Sequence, residues 1–288
     1  MTTFKMRYAY AERTGRDEAE ARRLDEQFDL LTRNIGYLLH PIVSASLPSN
    51  PCIADIGTGT GIFLRALYPS VPDAQLDGYD ISAALYPSAS TLPSTLPPNN
   101  TLSLLDARKP IPEPMRGVYD VVHVRLIATD IPPEEWSAVV RNVSLLVKPG
   151  GYLQWEECDI AGLKYLRGRD GSRVEKTRVM GAAFLEGMRE RFAHGWNTMS
   201  EDMRAAGLVD VDTEVISSDR LPETRERMTV NSKQDIFAWA RLVAKQGLPV
   251  PFTAAQLERT EKEVSEEIAS GCYVRFDIHV AFGRKPAE

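Results

Sequence analysis

Cysteine is scarce in this chain: 288 residues hold three, Cys52, Cys158 and Cys272, far apart and odd in number. They form no CxxC pair and no Cys/His cluster with metal-ligand spacing. That excludes a disulfide scaffold and a zinc fold, and it leaves reduced thiols in or near a core. An excess of basic residues is also missing, since 34 Lys and Arg stand against 40 Asp and Glu, for a formal net charge of -6. A phosphate-backbone footprint needs the opposite balance, so nucleic acid is not an expected partner. Apolar runs stop well short of the ~18 residues that a membrane helix needs, and the opening MTTFKMRYAYAERTGRDEAEARR has no apolar stretch of signal-peptide length. A cytoplasmic protein without a membrane partner is expected. Internal repeats and flexible linkers are absent too, and the 43% hydrophobic content is enough to fill one large α/β core with additions.

What is present is an alternation. Between Asn50 and Gly151 short apolar runs (CIADIG, AQLDGYD, TLSLLDA, YDVVHVRLI) alternate with helical stretches (IFLRALY, a short piece near Ala83, PEEWSAVVRNVSLLV), and YLQWEECDI follows as a fifth strand. Repeated strand-then-helix implies a doubly wound, mostly parallel sheet. Ahead of it, Arg16 to Ser46 carries Leu24, Phe28, Leu31, Ile35 and Leu38 at helical spacing, interrupted by Gly36 and Pro41. Ser90 to Asn100, rich in Pro, Ser and Asn, reads as a surface loop. After Asp159 come charged helices, an alternating run LVDVDTEVISSD, helices near Lys233 to Gly247 and Thr253 to Ser270, and a strongly alternating CYVRFDIHVAFGRKP. The division is an N-terminal helical extension (1–48), a core (49–160), and lid helices with closing strands (161–288).

The stretch IADIGTGTGIF places Gly57, Gly59 and Gly61 at every second position between a strand and a helix. Glycine there permits positive φ and lets a ligand reach the main chain, and the helix N-terminus beyond favours an anionic group. The spacing is G-x-G-x-G, not the G-x-G-x-x-G of dinucleotide dehydrogenases. Asp55, two residues ahead, repels a diphosphate but suits a ligand with a cationic end, as in S-adenosylmethionine. Asp80 closes LDGYD 19 residues after Gly61, where a carboxylate accepts from ribose hydroxyls, and Asp106, ending SLLDA, faces an adenine amino group.

ADIGTGTG, LDGYDIS, LLDA, YDVVHVRL and LLVKPGGYLQWEE together resemble the ordered motifs of class I S-adenosylmethionine-dependent methyltransferases over about residues 50 to 160. The flanking LLTRNIGYLLHPIV resembles the subgroup of fungal secondary-metabolite pathways. The resemblance implies a seven-stranded sheet with its last strand antiparallel. It implies S-adenosylmethionine as cofactor, held by Asp55, Gly57, Thr58, Gly59, Gly61, Asp80, Ile81, Asp106, Ala107 and Arg125. A small-molecule acceptor is implied as partner, with O-methylation ahead of N-methylation.

Residues ending strands four and five face the reacting methyl in such a fold. His123, with an ordinary pKa near 6.5, is the candidate general base. Arg125 holds a carboxylate or pairs with an acid. Of Glu156 and Glu157, strand alternation points one to the pocket and the other away; Trp155, Glu156, His194, Trp196 and Tyr37 are the expected substrate contacts. His40, before Pro41, is expected to cap a helix, and His279, mid-strand, to be structural. No metal site is visible. A pericyclase that uses the sulfonium as a fixed charge and a methyltransferase-like regulator are the alternative functions, and a homodimer through the N-terminal helices is the expected assembly.

Overall fold

The computed structural model describes residues 17–87, 99–245 and 252–287; most of the loop expected at Ser90 to Asn100 lies outside them. Asp17 caps the first helix, α1 (Glu18–Ile35), by accepting from the Glu20 N–H at 2.9 Å. Gly36, at φ 98°, ends that helix in the left-handed region. Pro41 opens a second one, α2 (Pro41–Ala45), capped by His40, whose Nδ1 accepts from the Ile42 N–H at 3.3 Å. The N-terminal pattern therefore makes two helices, and His40 does cap.

The alternation beyond folds as expected into β1 (Cys52–Ile56), α3 (Ile62–Leu67), β2 (Gln75–Asp80), β3 (Asn100–Leu104), β4 (Tyr119–Arg125), α4 (Pro133–Leu146) and β5 (Val147–Arg167). Then follow α5 (Glu175–Gly187), α6 (Arg189–Phe192), α7 (Met199–Ala205), β6 (Val209–Ser217), α8 (Arg225–Lys245), α9 (Ala254–Ala269) and β7 (Cys272–Arg284). Among the described residues the sheet has seven strands in the order β3-β2-β1-β4-β5-β7-β6. β1 to β5 pair in parallel, and β7 inserts antiparallel between β5 and β6.

Three boundaries differ from the sequence reading. β3 stops at Leu104, so Asp106 lies beyond the strand rather than at its end. β5 runs for 21 residues, because β7 stays paired with it up to Arg167. α8 begins at Arg225, ahead of Lys233.

Two apolar clusters sandwich the sheet. Val43, Ile53, Phe63, Leu64, Val121 and Phe282 fill the face under α2 and α3. Ala54, Val122, Val124, Trp136, Val140 and Trp155 fill the face under α4. A third cluster joins α1, α5, α8 and α9 to the extended ends of β5 and β7, through Leu31, Phe184, Phe237 and Val274 among others. Leu31 and Ile35 of the α1 stripe are thus buried within the chain, while Leu24 and Phe28 are half-buried. No described helix is long and apolar enough to cross a membrane.

Candidate functional site

The turn after β1 is built from backbone that other residues would strain. Gly57 has φ 73°, and a Cβ there would stand 2.5 Å from Ile127 Cγ2. Gly59 has φ 54°, but a Cβ there would meet nothing within 4 Å, because the position faces open space. Gly61, at φ 73°, begins α3 without a side-chain cap. At six residues α3 is short for the dipole expected from the sequence, so the bare turn itself is the feature that can receive a ligand.

Parallel register then brings five polar side chains onto one face of the sheet. Asp55 pairs with His123 across β1 and β4, while His123 pairs with Gln154 and Arg125 with Glu156 across β4 and β5. His123 Nδ1 lies 2.7 Å from Asp55 Oδ1, and Nε2 lies 3.4 Å from Glu156 Oε1. Its ring stacks on Phe63 with centroids 3.7 Å apart. Arg125 Nε donates to Glu156 Oε2 at 2.5 Å, Nη1 donates to Thr32 Oγ1 of α1 at 3.0 Å, and the guanidinium lies over Phe28. Gln154 donates to Glu156 Oε1 at 2.8 Å.

Asp55, His123, Glu156 and Arg125 thus form a buried chain of groups of alternating sign. Burial alone would lower the pKa of His123, but the bonds to Asp55 and Glu156 outweigh it and the pKa is raised. Burial likewise opposes ionisation of Glu156, yet Arg125 and His123 hold its pKa down at about 2. The imidazole is therefore a charge bridge. With both nitrogens facing carboxylates it has no free lone pair for a general base, and the role expected for His123 gives way to a positioning one.

A cavity of about 310 Å³ opens at the carboxyl ends of β1, β2 and β4. One half is walled by Asp55, Gly57, Thr58, Gly59, Asp80 and Ala107, all expected from the sequence; Ile81, Asp106, His123 and Arg125 also line it. Asp80 accepts from the Gly59 N–H and the Ser82 N–H, each at 3.0 Å, which fixes it at the mouth of the glycine turn. Asp106 departs from expectation: the fork of Arg108 binds both its oxygens, at 2.8 and 2.9 Å, so its carboxylate is turned to that partner rather than to an adenine. Leu105 and Ala107 remain as an apolar wall.

The other half of the cavity lies under the lid, where Leu31, Phe184, Phe192, Met228, Ile236 and Phe276 supply an apolar surface. None of the five expected substrate contacts lines it. Trp155 is fully buried on the opposite sheet face against Trp136. Glu156 belongs to the charge chain behind Arg125. Tyr37 donates to Glu214 at 2.5 Å. His194 stacks edge-on to Trp136. Trp196 donates to the Phe192 carbonyl and leans on His279.

Glu157 is the strand-five acid that reaches the cavity. Its Oε1 accepts from the Ile127 N–H, the Ala128 N–H and Trp155 Nε1 at 2.9 to 3.0 Å. The turn that supplies two of these donors opens with Leu126 at φ 56°, a left-handed conformation uncommon outside glycine.

The residues present fit S-adenosylmethionine. The open face at Gly59 leaves room for a ligand against bare backbone. Two buried polar atoms on cavity-lining residues, Thr58 Oγ1 and Arg125 Nη2, have no hydrogen-bond partner among the described residues. A zwitterionic tail matches the opposite charges of Asp55 and Arg125, and Asp80 lines the same end of the cavity beside the glycine turn.

Comparison with known proteins agrees. Residues 53–151 match a family described as a methyltransferase domain. The chain is 36% identical to methyltransferase grgD of a Penicillium species over 151 residues, 49% of this chain and 50% of that one. It is 29% identical to N-methyltransferase sirN of Leptosphaeria maculans over 287 residues, 94% of this chain and 93% of that one. It is 28% identical to secondary metabolism regulator laeA of Fusarium oxysporum f. sp. lycopersici, over 94% of this chain and 86% of that one. The match thus spans half of the Penicillium relative and nearly all of the Leptosphaeria one.

Proposed function

We propose that the chain is a class I S-adenosylmethionine-dependent methyltransferase of fungal secondary metabolism and that it methylates a small, largely apolar acceptor held under the lid helices. One observation carries this reading: the glycine turn with Asp80 and the apolar lid face are two halves of one continuous cavity. A bound donor and a bound acceptor would share a single dry space, the usual form of a small-molecule site.

The cofactor supplies an electrophilic methyl on a sulfonium; everything else falls to the chain. Gly57 and Gly59 receive the amino-acid tail, Asp55 and Arg125 orient its charges, and Asp80 takes the ribose. Phe184, Phe192 and Met228 exclude water and aim the acceptor, since alignment for in-line displacement supplies much of the rate. That sirN is named an N-methyltransferase supports nitrogen as the acceptor atom, in place of the oxygen expected from sequence. The similarity to laeA supports a second reading, regulation of secondary metabolism; the two part on whether a small acceptor is turned over.

Calorimetric titration with S-adenosylhomocysteine should show one tight site. Asp80→Ala should weaken it by roughly 10- to 100-fold, the size of a lost charge-assisted hydrogen bond. An unaltered dissociation constant in that variant removes Asp80 from the site, and no binding to the unmodified protein removes the methyltransferase reading altogether.

A further inference from the structure

Glu157 is 3% exposed and lines the cavity. Three donors hold its Oε1 in one position. All three bonds fall on that one oxygen, which leaves Oε2 without a hydrogen bond among the described residues in a side chain that lines the cavity. A carboxylate pinned by one oxygen with the other open is a preorganised proton acceptor.

The surroundings favour its holding a proton near neutrality. Burial pushes the pKa of Glu157 up to about 7; the donors from Trp155, Ala128 and Ile127 pull it down without cancelling that, and Asp130 on the same turn adds to the rise. Across the sheet His279 of β7 pairs in register with Glu157, and burial lowers the pKa of that imidazole. His194, beyond Trp136, is likewise lowered by burial. On its own strand Cys158, its thiol raised well up by burial, stays uncharged, and Glu156 is engaged on the other face.

The charge of the cavity points to the ligand that would meet this oxygen. Arg23, Arg108, Arg125 and His123 are the basic side chains of its lining, and Asp106 stands among the acids. Asp55, Asp80, Asp130 and Asp235 face the same space as Glu157. The balance is negative, which attracts a cation and opposes a phenolate or carboxylate.

We propose that Glu157 is the general base of the transfer and that the acceptor is a basic nitrogen, entering as an ammonium and giving its proton to Oε2. This rests on the methyltransferase reading above. The ammonium proton passes to the carboxylate and then to water. The freed lone pair closes the new N–C bond, and the electron pair of the broken C–S bond stays on sulfur. The products are a methylated ammonium and S-adenosylhomocysteine.

The test uses Glu157→Gln, which keeps an amide oxygen for the three donors and so keeps the turn. Carboxyl-labelled glutamate NMR of the full chain should show one resonance titrating near pH 7 that vanishes in the variant; a midpoint near the ordinary ~4.3 overturns the proposal. Calorimetry on the S-adenosylhomocysteine complex should show 2-phenylethylamine binding more tightly than 2-phenylethanol by on the order of tenfold, and the variant should lose that preference. Equal or absent binding of the two probes, or an unchanged preference in the variant, also overturns it. Cofactor affinity should be the same in both proteins, and a parent protein that fails to bind S-adenosylhomocysteine indicts the methyltransferase reading instead. With any amine that is turned over, the variant should lose ~10²- to 10⁴-fold in kcat, and the fall in kcat/KM below about pH 7 should disappear.

Discussion

Among single residues, His123 shows how burial changes a role. An imidazole between two carboxylates, fully enclosed and stacked on Phe63, is worth more to the fold as a charge than to chemistry as a base. Removing it strands Asp55 in the interior and leaves Glu156 to Arg125 and Gln154, and breaking such a buried pair typically costs ~3–5 kcal/mol. His123→Ala should therefore lower the free energy of unfolding, measured by urea titration, by that much; a variant of parental stability contradicts the bridge. The pH signs follow. Glu156, with its pKa depressed to about 2, contributes stability above about 4.5 that drains away as pH falls towards 2. His123, raised, contributes stability that is complete below about 6.5 and is lost as pH climbs through its folded value. Sequence could show these residues but not this arrangement, because the parallel register that opposes Asp55 to His123 and Arg125 to Glu156 is a tertiary fact. The choice between Glu156 and Glu157 failed for a related reason: alternation says that neighbours diverge, not which one meets the cavity.

Among elements, the turn from β1 to α3 was legible because its demand is local. Positive φ at alternate positions selects glycine whatever the rest of the chain does. The first two glycines nonetheless serve different ends, and substitution should separate them. Gly57→Ala drives a methyl into Ile127 and strains φ, so stability and S-adenosylhomocysteine affinity should fall together, stability by ~1–3 kcal/mol. Gly59→Ala carries the φ strain alone, ~1 kcal/mol, while its methyl projects into the ligand space. Its affinity loss should exceed its stability loss, and thermal melts with calorimetry would show the reverse if the turn did not hold the ligand. The lid half was not legible. Phe184, Phe192, Met228 and Phe276 come from four elements, and a stripe that lines a cavity has the same periodicity as one that fills a core. Tyr37 and Trp196, expected near the lid and the cofactor, spend their polar atoms on Glu214 and the Phe192 carbonyl, and His194 packs edge-on to Trp136.

For the whole molecule, one cavity gathers segments far apart in the chain. The cavity draws residues from α1, the glycine turn, β4, β5, α5, α8 and β7. Arg23 of α1 further donates to Asn231 of α8 at 3.2 Å, which ties the N-terminal helix to the lid. Ligand binding should therefore stabilise the entire fold. At 100 times the dissociation constant the gain is ~2.7 kcal/mol, so S-adenosylhomocysteine should raise Tm by several degrees while a nicotinamide dinucleotide leaves it in place. A rise with the dinucleotide instead would reverse the choice of cofactor made from the spacing of the glycines.

The placement of β7 between β5 and β6 has a consequence for biosynthesis. β6 leaves the ribosome before β7, yet its seat in the sheet is formed by β7 alone. Until Cys272 to Arg284 has emerged, the nascent chain carries an orphan strand and a sheet edge at β5 left bare, two surfaces inviting mispairing during synthesis. Arrest of translation within α9 should thus yield a product that holds neither its sheet nor its ligand.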